Sequence, residues 1–171
     1  MSDDLDAAAA GTFDDARFRQ VLGHFCSGVA VVTGTDAAGA PMGLTVQSFT
    51  SLSLDPPLVV FCPARSSTSW ERMRPAGTFC VNVLEEDQEA VCRAFASSGG
   101  DKFSGIGWAP AAGTGSPVLA DVLAWIDCRV EHELDGGDHS IVVGRVVALG
   151  LGDHDGRPLL FYRGGFGRFE P

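Results

Sequence analysis

The feature that most restricts the fold of this chain is a succession of short apolar runs separated by very short turns. Val29 to Thr35 is β-branched and apolar, Asp36 to Gly39 has the composition of a turn, and a second run extends from Pro41 to Leu54. Two strands joined by so few residues must pair antiparallel, because a parallel pair needs a crossover of about a dozen residues. A further buried strand, Leu58 to Cys62, follows the break at Asp55 to Pro57.

The last third of the chain continues this pattern. From Ala124 to Leu134 apolar and charged residues alternate, as in a half-buried antiparallel strand. Asp135 to Asp138 has the composition of a turn, Ile141 to Leu151 is apolar on both faces, and Leu159 to Tyr162 is a short final strand. Six or seven strands with short turns predict a mainly β protein built as an antiparallel barrel.

Three short helices are predicted between the strands. The first follows a capping-box pattern at Thr12 and Asp15, and the others cover Ser69 to Met73 and Asp87 to Phe95. The apolar residues of the first helix recur at helical spacing: Phe18, Val21, Leu22 and Phe25. Residues 96–117 are rich in Gly, Ser, Pro and Ala and predict a long surface loop, which is often functional.

Composition excludes several classes of partner. The 171 residues suit one domain, and 22 acidic against 12 basic residues give a formal net charge of −10. Nucleic-acid binding needs clustered Lys and Arg, whereas Lys102 is the single lysine. No apolar run approaches the ~18 residues of a membrane span, and the acidic start is unlike a signal peptide. We expect a cytoplasmic protein that binds neither nucleic acid nor membrane.

Residues 1–12 are predicted to be a disordered acidic tail, and residues 13–171 a single domain. The cysteines are odd in number, form no C-x-x-C and lie among apolar neighbours, so we expect buried free thiols and no metal site. They are Cys26, Cys62, Cys80, Cys92 and Cys128. No dinucleotide-binding G-x-G-x-x-G, P-loop or G-x-S-x-G elbow occurs in the chain.

The run from Met42 to Leu54 is a candidate binding surface. Its even positions are mainly apolar, whereas its odd positions include the polar residues Thr45, Gln47 and Ser51. A row of hydroxyls and amides on one face suits the polar edge of a flat heterocycle. The same pattern also describes an ordinary sheet face that meets water, and the two interpretations remain open here.

A second candidate is the stretch after Cys62. Arg65 and the hydroxyls of residues 66–69 come directly before a predicted helix start, where Thr68 and Glu71 fit a capping box. Free N–H groups, hydroxyls and an arginine at a helix N-terminus suit a phosphate, although an ordinary N-cap with a solvated arginine explains the pattern equally well. The two stretches together predict a ligand with a planar polar ring and a phosphate.

The two candidate stretches also resemble segments of a known protein family. The sequence from Gly43 to Val59, continuing through Cys62 to Ser69, resembles the flavin reductases of two-component flavin-dependent monooxygenases, which have the FMN-binding split-barrel fold. Gly137 to Gly144 and Leu160 to Phe166 are similar to the G-D-H and Y-R-G segments of that family. The resemblance covers about residues 13–169, and several separated segments in the right order make it specific.

The resemblance implies an antiparallel Greek-key split β-barrel and an NAD(P)H:flavin oxidoreductase, with NADH favoured over NADPH. Such an enzyme reduces free FAD or FMN by hydride transfer and supplies the reduced flavin to a separate monooxygenase. The resemblance also implies a homodimer. Because the cofactors carry the hydride chemistry, no protein nucleophile is required, which agrees with the absence of a nucleophile motif from the sequence.

Residue roles follow from the resemblance by position. Thr45 to Ser48 line the isoalloxazine ring, although many relatives have Asn in place of Gln47, and Arg65 with residues 66–69 holds the phosphate. His139, the catalytic candidate, orients the nicotinamide amide or phosphate without transferring a proton. The predicted flavin-binding residues are Thr45, Val46, Gln47, Ser48, Ser51, Ala64, Arg65, Ser66, Ser67, Ser69, Lys102, Phe103, His139, Tyr162 and Phe166.

Other interpretations remain open from the sequence. The same barrel also occurs in non-catalytic flavin-binding proteins and in oxidase or heme-binding relatives, and a structural dimer would bind no flavin at all. His139 beside Gly137 also suits a turn cap, and Tyr162 and Phe166 also suit core or dimer packing.

Overall fold

A computed structural model describes residues 13–153 and 155–170. Within these ranges there are three α-helices, α1 Asp15–Leu22, α2 Thr68–Met73 and α3 Glu89–Ala96. The strands are β1 Ser27–Gly28, β2 Ala30–Thr35, β3 Pro41–Val46, β4 Thr50–Leu54, β5 Pro57–Phe61, β6 Thr78–Val83, β7 Trp108–Pro110, β8 Pro117–Leu119, β9 Ala124–Gly136, β10 His139–Leu151, β11 Leu159–Tyr162 and β12 Gly165–Arg168. The predicted tail, residues 1–12, lies outside the described residues.

Seven strands form the main sheet, in the order β3-β2-β6-β9-β10-β5-β4, and every neighbouring pair is antiparallel. The two edge strands, β3 and β4, are consecutive in the chain and are joined by residues 47–49 alone. A flat seven-stranded sheet would separate its edges by about 29 Å. A link of this length spans at most about 14 Å. The sheet must therefore curl until its edges approach, which gives a barrel that is split between β3 and β4.

This closure corrects one sequence prediction. Pro41 to Leu54 is not one strand but two, and they lie at opposite edges of the sheet. Ser51 and Thr45, predicted to share one polar face, are consequently on different edge strands. Ser48 and Thr50 stand where the alternation would place apolar residues, so the pattern is interrupted at the point where the two strands separate.

Two apolar clusters hold the molecule together. One fills the barrel, where Phe61 and Phe79 are fully buried with ring centroids 5.0 Å apart. The other lies beside the barrel and includes Leu84 of the β6–α3 connection, Phe95 of α3 and Leu159 of β11. A three-stranded sheet, β1-β11-β12, adjoins this second cluster.

Several local predictions also need correction. Residues 96–117 are not a plain loop, since β7 lies within them and pairs with β8, and the prediction missed β12. Asp14 caps α1 by accepting a 2.8 Å hydrogen bond from Arg17 N, while Thr12 lies outside the described residues. The five cysteines form no disulfide, but Cys26 is exposed and Cys62 is only partly buried. Within the described ranges, no helix has the length and apolarity needed to cross a bilayer.

Candidate functional site

A cleft of about 950 Å³ opens between the end of β3, the β5–α2 loop and the end of α3. It brings together ten of the predicted flavin-binding residues: Thr45, Val46, Gln47, Ser48, Ala64, Ser66, Ser67, Ser69, Lys102 and His139. These residues come from four separate segments of the chain. The two stretches that the sequence singled out therefore do face one cavity.

The residues at the end of β3 are held by side-chain bonds to neighbouring segments. Thr45 Oγ1 donates to Cys92 O at 2.7 Å, which ties β3 to α3. Ser48 Oγ accepts from Cys62 N at 2.9 Å and donates to Cys62 O at 3.2 Å. Ser48 therefore closes the barrel where the link leaves β3, because it bonds the backbone at the end of β5.

The β5–α2 loop is clamped onto β10. Arg65 N donates to Asp138 O at 2.9 Å and Ser140 N donates to Pro63 O at 3.0 Å. These bonds direct Ala64 and Ser66 to the cleft, whereas the Arg65 side chain lies in a second cleft of about 510 Å³. There Arg65 Nη2 pairs with Asp135 Oδ1 at 2.7 Å. A phosphate contact by Arg65 stays a prediction, and it requires this ion pair to open.

Helix α2 starts one residue earlier than predicted, at Thr68 rather than Ser69. Ser67, not Thr68, is the N-cap, and its Oγ accepts from Trp70 N at 3.3 Å. Glu71 N is bonded to Ser67 O at 3.0 Å. The second bond is the ordinary i→i−4 bond of the helix, so the Ser67 cap uses one amide of the first turn, that of Trp70, and the hydroxyls of Ser66 and Thr68 add donors to the phosphate site predicted at this helix start.

Lys102 reaches the cleft with all three ammonium donors engaged. Its Nζ donates to Ser69 Oγ at 3.1 Å, to Gly43 O at 3.2 Å and to Phe95 O at 3.1 Å. Burial lowers the pKa of Lys102 from its ordinary value. The lysine is thus a partly desolvated cation that is bonded to three different elements.

His139 lies half-buried at the start of β10, where the cleft meets the turn. Its Nδ1 is 2.8 Å from Asp138 Oδ1, and this hydrogen bond holds the pKa of Asp138 below its usual value. An ionised carboxylate only accepts, so Nδ1 carries the proton, and in the neutral ring Nε2 is then the acceptor. The histidine can therefore accept an N–H from a bound molecule through Nε2.

The remaining predicted residues do not line this cleft. Ser51 is exposed on β4, and Phe103 is buried against Phe95 with ring centroids 4.9 Å apart. Tyr162 packs edge-on against His24, while Phe166 packs against Phe161 and carries the Arg93 guanidinium 4.9 Å above its ring centroid. Their contacts with flavin remain predictions, since none of these four side chains lines the cleft.

Sequence reasoning missed one side of the cleft. Phe18 and Leu22 of α1 line it, as do Phe95 and residues 96–98 after α3. Phe18 and Leu22 are 49% and 55% exposed, so α1 presents apolar side chains to the cleft without burying them. The signal in the sequence is the apolar spacing of this helix, which predicts a helix but does not show that its apolar side chains face a cleft.

Comparison with known proteins identifies the family. The family model described as "Flavin reductase like domain" matches residues 22–170. The chain is 50% identical over 165 residues to the reductase subunit HsaB of a flavin-dependent monooxygenase from Rhodococcus jostii (strain RHA1), covering 96% of this chain and 83% of the relative.

Two solved structures have the same fold. Nitrilotriacetate monooxygenase component B from Mycobacterium thermoresistibile has a TM-score of 0.88 and 48% identity, covering 92% of this chain and 88% of the other. The NADH:FAD oxidoreductase SgcE6 from Streptomyces globisporus C-1027, solved with NAD and FAD fragments, has a TM-score of 0.86 and 37% identity, covering 92% and 94%. Since the family match spans both the barrel and the walls of the cleft from Thr45 to His139, this chain belongs to the flavin reductase-like family.

Proposed function

We propose that the protein is an NAD(P)H-dependent flavin reductase that releases reduced FAD or FMN to a separate flavin-dependent monooxygenase. The observation that carries this proposal is the cleft of about 950 Å³. Most of the residues that line it fall within residues 22–170, which match the flavin reductase-like family. The relatives include a reductase subunit of a flavin-dependent monooxygenase, which supports the role of supplying reduced flavin.

The residues present fit a flavin. Small-molecule pockets are typically about 300–1,000 Å³, so the volume of this cleft lies at the upper end of that range. Hydroxyls from Ser66 and Thr68 offer donors to ring carbonyls or to phosphate oxygens, whereas those of Thr45 and Ser48 already donate to Cys92 O and Cys62 O. Phe18 and Leu22 of α1 supply exposed apolar surface for the flat face of a ring.

The backbone of β3 supplies the best-placed donor. Gly43 O is bonded to Lys102 and so faces away from β2, and alternate residues of an antiparallel edge strand face the same way. We therefore expect Thr45 N–H to face the cleft. Flavin and nicotinamide, when bound, carry the hydride transfer themselves. An N–H donor at Thr45 would stabilise the negative charge that a reduced ring acquires.

His139 orients the nicotinamide and does not transfer a proton. With Nδ1 bonded to Asp138, Nε2 accepts a hydrogen bond from a carboxamide N–H such as that of nicotinamide. Of the two partners predicted for His139, the amide fits this tautomer better than a phosphate, because a phosphate needs a donor.

We infer that NADH is preferred over NADPH. Lys102 is the one Lys or Arg among the described residues that line the cleft, and its three donors are occupied. A 2′-phosphate needs a cation that is free to bind it. We expect kcat/KM to be higher with NADH than with NADPH at equal flavin concentration, and the opposite ratio would contradict this inference.

We also propose a homodimer. Large apolar side chains are exposed on several elements, among them Phe25 at 82%, Leu54 at 94% and Leu151 at 84%. Exposed apolar surface of this kind typically marks an interface. Light scattering on the purified protein should give twice the chain mass, and a monomer at micromolar concentration would refute this part of the proposal.

The enzyme activity is tested by mixing purified protein with NADH and either FMN or FAD, and by following the absorbance of reduced nicotinamide. We expect oxidation well above the blank that contains flavin alone. The alternative of a non-catalytic flavin-binding protein predicts flavin bound through gel filtration and no NADH oxidation. Release is tested by placing a flavin-dependent oxygenase across a dialysis membrane, where hydroxylated product should form.

A further inference from the structure

We propose that Lys102 is a positioning residue that braces the three elements on one side of the cleft, β3, α2 and α3, and that it does not contact the flavin. The inference concerns the three hydrogen bonds of Lys102 Nζ, to Ser69 in α2, Gly43 in β3 and Phe95 in α3, which we call the Lys102 brace. It deepens the proposed function, because it states how the flavin-binding walls are held at a defined separation.

The three acceptors belong to elements that are distant in the sequence. Ser69 is 33 residues from Lys102 and Gly43 is 59 residues away. Phe95 O is among the last four carbonyls of α3, which have no partner inside the helix, so the ammonium group also caps this helix end. One cation thus connects β3 with the start of α2 and the end of α3, the two helices that flank the cleft.

Neighbouring contacts hold Lys102 in place. Phe103, the next residue, is buried and packs on Phe95, while Asp101 Oδ1 accepts from Phe103 N at 3.0 Å. Residues 97–100 come before this segment, and Gly99 and Gly100 have positive φ angles of 77° and 74°. The brace therefore closes the glycine-containing turn whose residues Ser97 and Ser98 form a wall of the cleft.

The donor count argues against a ligand contact. An ammonium group has three N–H donors, and all three are used in the protein alone. A flavin phosphate would have to displace one of them and leave a partly buried acceptor without a partner, which costs free energy. The lowered pKa of Lys102 agrees with this, because it indicates a cation that is already withdrawn from water.

The first test compares FMN with riboflavin, which lacks the phosphate. Lys102→Met keeps the apolar stem but leaves the three acceptors without their donor, so we expect both flavins to bind roughly tenfold or more weakly, by the same factor. If FMN binding alone weakens, Lys102 contacts the phosphate and the proposal is wrong. Circular dichroism and thermal melting establish that the variant is folded.

A second test uses coupling between residues. Ser69→Ala removes one acceptor of the brace, so its effect on flavin affinity should be much smaller in the Lys102→Met background than in the wild type. Ser66→Ala is the matched control, since Ser66 lines the same cleft with no bond to Lys102, and its effect should be equal in both backgrounds. Additive effects of Ser69→Ala and Lys102→Met would overturn the brace.

A third measurement is independent of activity. Because Lys102 is the single lysine, protein labelled with ¹⁵N-lysine gives one side-chain ammonium signal. The brace predicts that this signal is protected from exchange with water before any flavin is added. A signal that is broadened by exchange in the free protein, and that sharpens only with flavin, would show a ligand contact instead. If the wild-type protein oxidises no NADH, the proposed function fails while this measurement still decides the brace.

Discussion

The cleft has two walls that are built very differently. On one side β3, α2 and α3 are packed together, with Gly43, Ser69 and Phe95 buried and bonded or packed around Lys102. On the other side α1 buries no residue. Its C-terminal end is tied to the β11–β12 turn by a 2.9 Å bond from Arg163 N to Gly23 O, and its apolar side chains meet the cleft half-exposed.

This difference suggests that the two walls have different roles in binding and releasing flavin. A packed wall holds a ring in one position, which hydride transfer between two stacked rings requires. A helix of eight residues with no buried side chain has little stability of its own and opens at low cost. We therefore expect flavin to enter and leave on the side of α1, which suits an enzyme that releases its flavin as a product.

The largest effect is expected from Gly43→Ala on the packed wall. A Cβ at this position would lie 2.5 and 2.6 Å from two ring atoms of Phe95, whose ring is itself buried against Phe103. Overpacking of this kind costs about 1–3 kcal/mol, so chemical denaturation should show a clear loss in the free energy of unfolding. Flavin affinity should also fall, because Gly43 O is one of the acceptors of the brace.

Gly28→Ala is the control for this prediction. No atom lies within 4 Å of a Cβ built on Gly28, so the change should alter the free energy of unfolding by no more than about 0.5 kcal/mol. Adding Phe95→Leu to Gly43→Ala should give a combined loss smaller than the sum of the two single losses, since the smaller side chain relieves the clash. Equal losses at Gly43 and Gly28 would show that the wall is not tightly packed.

The sequence predicts the packed wall better than the open one. Thr45 to Ser48 and Ala64 to Ser69 stand out because hydroxyls cluster beside a strand end and a helix start, and both features are local. The direction of Arg65 is not local, because the bond from its N–H to Asp138 O turns its side chain toward Asp135. A pattern along one segment cannot give an orientation that a hairpin 70 residues later imposes.

The break in the strand from Pro41 to Leu54 has the same explanation. Its composition suits one long strand, but the closure of the barrel requires the chain to cross between the two sheet edges at residues 47–49. Similarly, the apolar spacing on α1 predicts a helix without telling whether Phe18 packs on the core or faces a cleft. In both cases contacts with parts of the chain that are distant in the sequence decide the outcome.

A smaller effect is expected on the open wall, where Phe18→Ala should change ligand binding but not stability. Phe18 lines the cleft and is 49% exposed, so its removal should shift the free energy of unfolding by no more than about 0.5 kcal/mol. An aromatic contact with a bound ring contributes about 0.5–1.5 kcal/mol, so flavin or NADH affinity should fall by roughly two- to tenfold. Fluorescence titration with FMN and the KM for NADH measure the two affinities separately.

Val21→Ala provides the matched control on the same helix. Val21 is 50% exposed, nearly the same as Phe18, but does not line the cleft. Its substitution should leave both affinities unchanged. If Phe18→Ala and Val21→Ala behave alike, α1 is not a wall of the binding site.

The smallest effect, a change in Tm, is expected when one ion pair is removed from each wall. Arg72 of α2 donates to Asp36 Oδ2 at 2.5 Å, and this hydrogen bond, with those from the backbone of Ala40 and Ala38, lowers the pKa of Asp36 below its ordinary 3.8. Since folding lowers this pKa, the unfolded chain binds more protons, so the stabilisation is complete above the ordinary pKa and is lost as pH falls through the folded value. Asp36→Asn should therefore lower Tm at neutral pH, and its difference from the wild type should shrink as pH falls through the lowered pKa of Asp36. On α1, Asp15 and Arg19 are 3.7 Å apart and largely exposed, so Asp15→Asn should change Tm at neutral pH by less than Asp36→Asn does. Equal Tm changes for the two variants at neutral pH would mean that the ion pair of the packed wall contributes no more than a surface pair.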